Sequence, residues 1–571
     1  MGLLNRLESW LTPKKALIIL FALGFLVYGN SIPNGFVWDD EEQIVKNSII
    51  QNLGNIGQIF SGATFQTGGA GLSGYFFRPL ITFTFMLNYF FWGENAFGFH
   101  LFQIIFHILN GYLIYRILIL LLEKSHLRQI LSSLTALIFV IHPAITEGVV
   151  YIAAVSEVMF TFFILIALFF LLRYRQTKPT IKNIISICLL LFTATLYKEP
   201  AVVGPPILMA YVLIYKVKNL KRWLTALTAT LISYFFLRLV VVQNPIQHQL
   251  YSDISEAGLA QRLITIPAII FHYLSIIFYP GHLAISQHFV IKNPTLINFV
   301  LPLLLILAIL IPSAFLARKN KLILFALSWL IISLGPILNI IPLDMTVAQR
   351  WLYFPLIGFL LLTAGFLKEI TNLKLIHFIT IFLLLSLVPL SIRTIIRNRD
   401  WKDGLTLYTH DAGINSNSFD LENNLGVELF RSGKITEAKE HFQKSVDIQP
   451  KWHFALNNLG AVYQNEKNYP KAKELYKKVL ETSDYYLAHE NLSSIYLAEE
   501  DYRQARDFTD NALKKLPNNS LLWLNLAIAE YKLGNKEKAL EAAKNSYQLN
   551  PNPQTRYIYS QLSQDKELKF E

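Results

Sequence analysis

The chain has 571 residues, of which 53% are hydrophobic and only 16% charged. A soluble chain carries about 25% charged residues, so a single water-soluble domain is excluded. The net charge of +12 does not point to nucleic acid, because Lys and Arg gather in short links between apolar runs, where they orient a protein in a bilayer.

The apolar residues dominate up to about Arg393, and a charged, helix-forming sequence follows. This step in composition divides the chain into a membrane part and a water-soluble part. One cysteine, Cys188, allows no intrachain disulfide. The first apolar run, 16–28, follows Lys14 and Lys15 and lacks a small-residue cleavage site, so it reads as a retained anchor. Directly after it comes Gly35-Phe36-Val37-Trp38-Asp39-Asp40-Glu41-Glu42. Four consecutive acids at a membrane boundary read either as a solvated loop opening a short helix or as a carboxylate pair facing a lipid-borne substrate. A low-dielectric boundary disfavours charge, so acids retained there need a reason.

A spanning helix needs about 20 largely apolar residues. Eleven segments qualify, near 15–30, 99–122, 129–145, 149–172, 182–198, 200–216, 223–242, 296–317, 321–341, 351–368 and 374–393. Two more, 76–92 and 262–280, are apolar enough but are expected to lie along the outer interface. With both left out, the basic clusters around Lys14, Lys124, Arg173, Lys216, Arg318 and Lys368 fall on one side, the cytoplasmic one. The acidic stretch and the loops 142–147, 243–261 and 342–350 then share the opposite face, as does the soluble part.

The soluble part repeats itself. Leu425-Gly426, Leu459-Gly460, Leu492-Ser493 and Leu526-Ala527 are followed at a fixed distance by Ala438, Ala472, Ala505 and Ala539. Pro450, Pro517 and Pro551 close three of the four units, and Asp484 stands at the end of the second. This is the spacing of the tetratricopeptide repeat (TPR), two antiparallel helices in about 34 residues. Small residues let the paired helices approach, with Phe442 and Tyr476 filling the gaps. Such arrays commonly bind peptides, although a scaffold that joins partners fits equally. The organisation expected is all-α: a multi-spanning domain over 1–398, a linker over 399–418, four repeats over 419–553 and a tail over 554–571.

Neither a Gly-rich phosphate loop nor an HExxH zinc pattern is present in the sequence. Arg350, at a membrane boundary before aromatic residues, reads as a phosphate-holding guanidinium or as an interfacial anchor. Arg78 before Pro79 has the same two readings. Glu147 reads as a contact to sugar or acceptor, and His142 before Pro143 as a site residue or a loop cap. Lys198, Glu199 and Glu157 interrupt apolar sequence as paired structure or as site.

Several motifs occur in order: Phe36-Val37-Trp38-Asp39-Asp40, Tyr75-Phe76-Phe77-Arg78-Pro79-Leu80, His142-Pro143-Ala144-Ile145-Thr146-Glu147 and Tyr197-Lys198-Glu199. Ala348-Gln349-Arg350-Trp351-Leu352-Tyr353-Phe354-Pro355 and Asn398-Arg399-Asp400-Trp401-Lys402-Asp403 complete the set. In this order, and ending in tetratricopeptide repeats, the chain resembles the transmembrane-and-TPR O-mannosyltransferases, related to protein O-mannosyltransferases of the GT-C fold. The resemblance implies transfer of a sugar, typically mannose, from a polyprenyl-phosphate carrier to Ser or Thr hydroxyls, with no required metal or other cofactor. It implies Asp39 as general base, supported by Asp40. It also implies a membrane-lipid donor and a protein acceptor presented by the repeats. The small loops and compact length point to a bacterial plasma membrane, with an endoplasmic reticulum as the eukaryotic alternative. Two other readings stay open: a membrane-anchored scaffold without chemistry, and a transferase acting on a glycolipid or polysaccharide.

Overall fold

The computed structural model describes residues 2–61, 76–123, 125–175, 179–241 and 252–568. Residues 62–75, Lys124, 176–178 and 242–251, all within segments discussed above, lie outside the described residues. The chain forms two compact units, Met1–Asn415 and Ser416–Glu571.

The first unit runs α1 Gly2–Trp10, α2 Pro13–Tyr28, α3 Ile56–Ser61, α4 Pro79–Trp92, α5 Ala96–Leu121, α6 Arg128–Ile141, α7 Thr146–Val150, α8 Val155–Arg173 and α9 Ile181–Thr195. It continues with α10 Gly204–Tyr215, α11 Leu220–Phe236, α12 Asp253–Glu256, α13 Leu259–Phe278, α14 Leu301–Ala317, α15 Lys321–Leu334, α16 Tyr353–Glu369, α17 Leu373–Asp400 and α18 Gly404–Ile414. Among the described residues, eight helices are long and apolar enough to cross a membrane, or nine if α6 and the bent segment Pro143–Val150 count as one span. Three shorter apolar helices accompany them. The unit is thus a multi-pass membrane domain. Its outward faces are apolar, as lipid requires: Ile311, Phe315, Phe378 and Leu385 are all exposed.

One end of this bundle carries the candidate residues. There α6 ends at His142, α15 ends before the 340–350 segment, and Thr394 of α17 donates to the Ile141 carbonyl (2.6 Å). The helix α13 is long and apolar enough to span, yet both its ends bond to this same end of the bundle. Near its start, Arg262 donates to the Ile340 carbonyl (3.3 Å) and Ser252, just before α12, to the Leu343 carbonyl (3.2 Å). At its finish, the Ile277 carbonyl meets His142 Nε2 (3.0 Å), and Arg393 donates to the Pro280 carbonyl (2.9 Å). A straight 20-residue helix is about 30 Å long, so α13 lies across the end of the bundle rather than through it. The shorter α4 does the same. Arg78 at its start bonds Glu199, and Trp92 at its finish packs on Gly98 and Phe97 in the first turn of α5.

The stretch 399–418, expected as linker, contains the last residues of α17 and the whole of α18. The buried Asp411 of α18 takes the Arg397 guanidinium on both oxygens (2.6 and 2.9 Å) and the Ile285 amide (2.9 Å). Sequence reasoning missed this because the pair forms only after the chain turns at Trp401.

The second unit is a tetratricopeptide-repeat solenoid: α19 Phe419–Arg431, α20 Ile435–Ile448, α21 His453–Asn465, α22 Tyr469–Thr482, α23 Tyr486–Ala498, α24 Tyr502–Lys515, α25 Ser520–Lys532 and α26 Lys536–Leu549, then α27 Pro553–Ser563. The last helix occupies what was expected as a tail. It buries Ile558 against Leu522, Leu524 and Ala543 and so covers the otherwise open face of the fourth pair. Gly460 shows why small residues recur: a Cβ there would meet the fully buried Tyr476 ring at 2.7 Å. Along the first helices of the pairs runs a row of amides. Asn458 donates to Asn423 (2.9 Å), Asn491 to Asn457 (3.3 Å) and Asn525 to Ser493 (2.7 Å).

Two predictions test this architecture. With Cys188 replaced by Ser, single cysteines at Gln261 and His282 should react with a membrane-impermeant thiol reagent from the same side as one at Glu94; labelling of the first two from opposite sides would show that α13 crosses. Gly460→Leu should cost the repeat about 1–3 kcal/mol through overpacking, read as faster amide exchange confined to α21 and α22.

Candidate active site

The first loop is fixed before it reaches its acids. Asn30 donates to the Ile395 carbonyl (2.9 Å), Asn34 to the Asn398 carbonyl (2.9 Å) and Gly35 N–H to the Lys402 carbonyl (3.0 Å). Trp38 then adopts a left-handed backbone, φ 57°. Such strain in a bulky residue persists only where the surroundings impose it, and it collects at functional sites. The turn sends the two neighbouring acids in different directions.

Asp40 is fully buried, and both its oxygens are taken by backbone amides, Val37 N–H at 3.0 Å and Ala153 N–H at 2.7 Å. It ties the loop to the chain between α7 and α8 and is a positioning residue. Asp39 stays partly exposed. Burial pushes its carboxyl above the usual range, opposed by the neighbouring Tyr151 hydroxyl and the Arg350 charge, while Asp344 adds to the rise. Glu41 and Glu42 turn away and pair with Lys46 (3.7 and 2.7 Å).

Aromatic rings form the floor of the site. Tyr151 stacks between Trp38 (5.3 Å, 15°) and Trp401 (5.5 Å, 26°). A guanidinium lies beyond each tryptophan, Arg350 at 5.2 Å from the Trp38 ring and Arg397 at 5.7 Å from the Trp401 ring. Cation–π contacts of this kind hold both partners in fixed planes. Arg350 is clamped from behind by Glu147, which has no exposed surface. One Glu147 oxygen accepts the Arg350 backbone N–H (2.9 Å) and the other accepts its Nη1. Glu147 therefore acts through Arg350 and is not open to a sugar.

A second group of charges lies beside this one. Arg78 donates to Glu199 (2.9 Å), which also accepts from Arg238 (3.1 Å), so two guanidinium groups converge on one carboxylate. Lys198 is buried and paired with Glu157. The Arg350 charge, and more weakly that of Arg78, opposes the rise at Asp39. The structure thus sets Arg350 over the ring of Trp38, next to Asp39, with Asp40 and Glu147 fully buried, and keeps Arg78 paired with Glu199 in the second group. His142 is a cap: its Nδ1 accepts the Ala144 amide (3.2 Å), leaving Nε2 to donate to Ile277. Sequence reasoning missed Tyr151 and Trp401 as site walls, and Arg238. The Asn398–Trp401 motif was the available signal for Trp401, and Arg238 ends an apolar run where an anchor reading masks it.

Among the described residues, no group of three or more His, Cys, Asp or Glu side chains is placed to hold a metal ion. The arrangement offers a carboxylate of raised basicity next to a tryptophan whose ring carries a fixed guanidinium. That geometry can accept a proton while stabilising a departing anion. Asp40→Ala should leave two buried amides unpaired and cost about 3 kcal/mol or more, since bonds to a charged acceptor are worth about 1.5–3 kcal/mol each. Amide exchange at Ala153 should accelerate in Asp40→Ala and stay unchanged in Asp39→Asn.

Tetratricopeptide repeat models match residues 423–451, 455–483 and 496–557. Protein O-mannosyl-transferase F38B6.6 of Caenorhabditis elegans is 26% identical over 455 residues, covering 76% of this chain and 63% of the worm protein. Protein O-mannosyl-transferase TMTC3 of Mus musculus and of Homo sapiens is 24% identical over 532 residues in each case, covering 82% of this chain and 56% of each relative. The chain therefore spans about three-fifths of the length of these curated relatives. In its membrane helices, the order of its motifs and its C-terminal repeats, it resembles the transmembrane-and-TPR family of protein O-mannosyl-transferases.

Proposed function

We propose that the chain transfers mannose from a polyprenyl-phosphate carrier to Ser or Thr hydroxyls of protein acceptors, on the extracytoplasmic side of a bacterial plasma membrane or endoplasmic reticulum. The observation that carries this reading is the placement of Asp39 beside Trp38, whose ring carries the fixed Arg350 guanidinium, at one end of an apolar helix bundle. The relatives named protein O-mannosyl-transferase support the reaction class.

Asp39 accepts the proton of the acceptor hydroxyl as its oxygen attacks the anomeric carbon. The C1–O bond to phosphate breaks, and its electron pair leaves on the carrier phosphate. Arg350, held planar by Glu147 and Trp38, stabilises that charge through paired N–H donors. Arg78 and Arg238 flank the phosphate or the sugar. One displacement inverts configuration at C1. No metal is required, because guanidinium groups supply the positive charge. A carrier anchored in lipid enters beside α4 and α13, whose exposed Phe90, Phe91 and Phe278 suit the interface. The repeats would present the protein acceptor.

Incubating the purified chain with polyprenyl-phosphate-β-mannose and a Ser/Thr-rich peptide should yield the α-mannosyl peptide, and a chelator should leave the rate unchanged. A β-mannosyl product would rule out single displacement, and no product with any lipid-linked sugar would leave the scaffold reading in its place. The rate should rise with pH through the Asp39 pKa, because the base works only when ionised. Burial raises that pKa, so the acid limb should lie above the ordinary aspartate value of about 3.9. Asp344→Asn removes a neighbour that raises it and should move the limb to lower pH; movement upward would contradict the placement.

A further inference from the structure

A cavity of about 350 Å³ opens on the same end of the first unit, separate from the acids. It is lined by His272, Ser275 and Tyr279 of α13 and the residue that follows it, by His282 and Gln287 of the next segment, and by Asn415 after α18. None of these residues carries a formal charge with histidine neutral. Among the described residues, the side chains of His272, Tyr279, His282 and Gln287 have no hydrogen-bond partner. Asn415 donates to the Ser286 carbonyl (3.1 Å) and keeps its own oxygen available. The volume lies at the low end of the ~300–1,000 Å³ usual for small-molecule sites.

Neutral amides and imidazoles beside an exposed tyrosine ring (72% exposed) suit a small uncharged polyol. They offer donors and acceptors to hydroxyls and an aromatic face to an apolar ring face, and nothing in the lining complements a phosphate. The cavity lining also borders the segment that leads to Arg350. Gln287 pairs with Val347, and its carbonyl accepts from Thr346 N–H (3.1 Å) and Val347 N–H (3.4 Å). Val347 is three residues from Arg350, at most about 10 Å along an extended chain.

We propose that this cavity is a second saccharide site, which holds a neutral hexose already attached to the acceptor near the hydroxyl being modified. The cavity would favour clustered acceptors. This use of the cavity rests on the transfer reading above, whereas binding itself is independent of transfer. The test is therefore a binding measurement made without donor, on the full chain in nanodiscs free of sugar-based detergent. The probes are a fluorescent Ser/Thr peptide carrying one α-mannosylthreonine and the same peptide unmodified. The glycopeptide should bind at least ~5-fold more tightly. Methyl mannoside should compete away that advantage, and it should be lost in His272→Ala and in the surface variant Tyr279→Ala. Equal affinity of the two peptides for the unaltered chain, or an advantage that survives both substitutions, would overturn the proposal. Failure of sugar transfer in a separate assay would affect only the transfer reading.

Discussion

The candidate site depends on a cluster of charge and aromatic rings, in which Tyr151 stacks on Trp38 and Trp401 and the Arg350 and Arg397 guanidinium groups lie against those two tryptophans. The cluster is held from outside. Glu147 fixes Arg350, Asp411 fixes Arg397, and the left-handed turn at Trp38 fixes the ring that carries Asp39 beside it. Breaking a buried ion pair by removing one partner costs about 3–5 kcal/mol, so the two guanidinium groups are effectively immobile. A rigid frame of this kind preorganises charge where a reaction develops it, which is where electrostatic stabilisation is most effective.

The frame joins parts of the chain that are far apart in sequence. Loop 29–40 is bonded to the last turns of α17, the Asp40 carboxylate to the chain between α7 and α8, and Glu147 to a residue 203 positions later. The two apolar helices that lie across this end, α4 and α13, enclose it without adding a crossing. They leave Trp92 and Tyr279 exposed, side chains of the kind a membrane interface favours.

The repeats were legible because a period of about 34 residues repeats the same small-residue contacts, as at Gly426 on Phe442 and Gly460 on Tyr476. The lie of α13 was legible only through charge placement, since its length and apolarity alone fit a span. Asp39 was legible as an acid where acids are costly. The separation of its role from that of Asp40 was not, because it rests on one backbone angle at Trp38. Glu147 was read as a sugar contact because its partner lies in another loop. Tyr151 carried no local signal, since a tyrosine between two apolar helices reads as core. The helix α18 was hidden for the same reason as the Arg397–Asp411 pair that anchors it: residues three or four turns apart meet only after the chain reverses.

The central claim is that Asp39 is the group that accepts the proton while the cluster holds the leaving charge. Its most direct test is transfer of labelled mannose from polyprenyl-phosphate-mannose to a Ser/Thr-rich peptide by the unaltered chain and by Asp39→Asn, each shown by amide exchange to keep the Ala153 bond intact. The account predicts transfer by the unaltered chain and a loss of at least ~100-fold in the variant, the usual size of a general-base contribution. Transfer at an undiminished rate by an Asp39→Asn protein would contradict it.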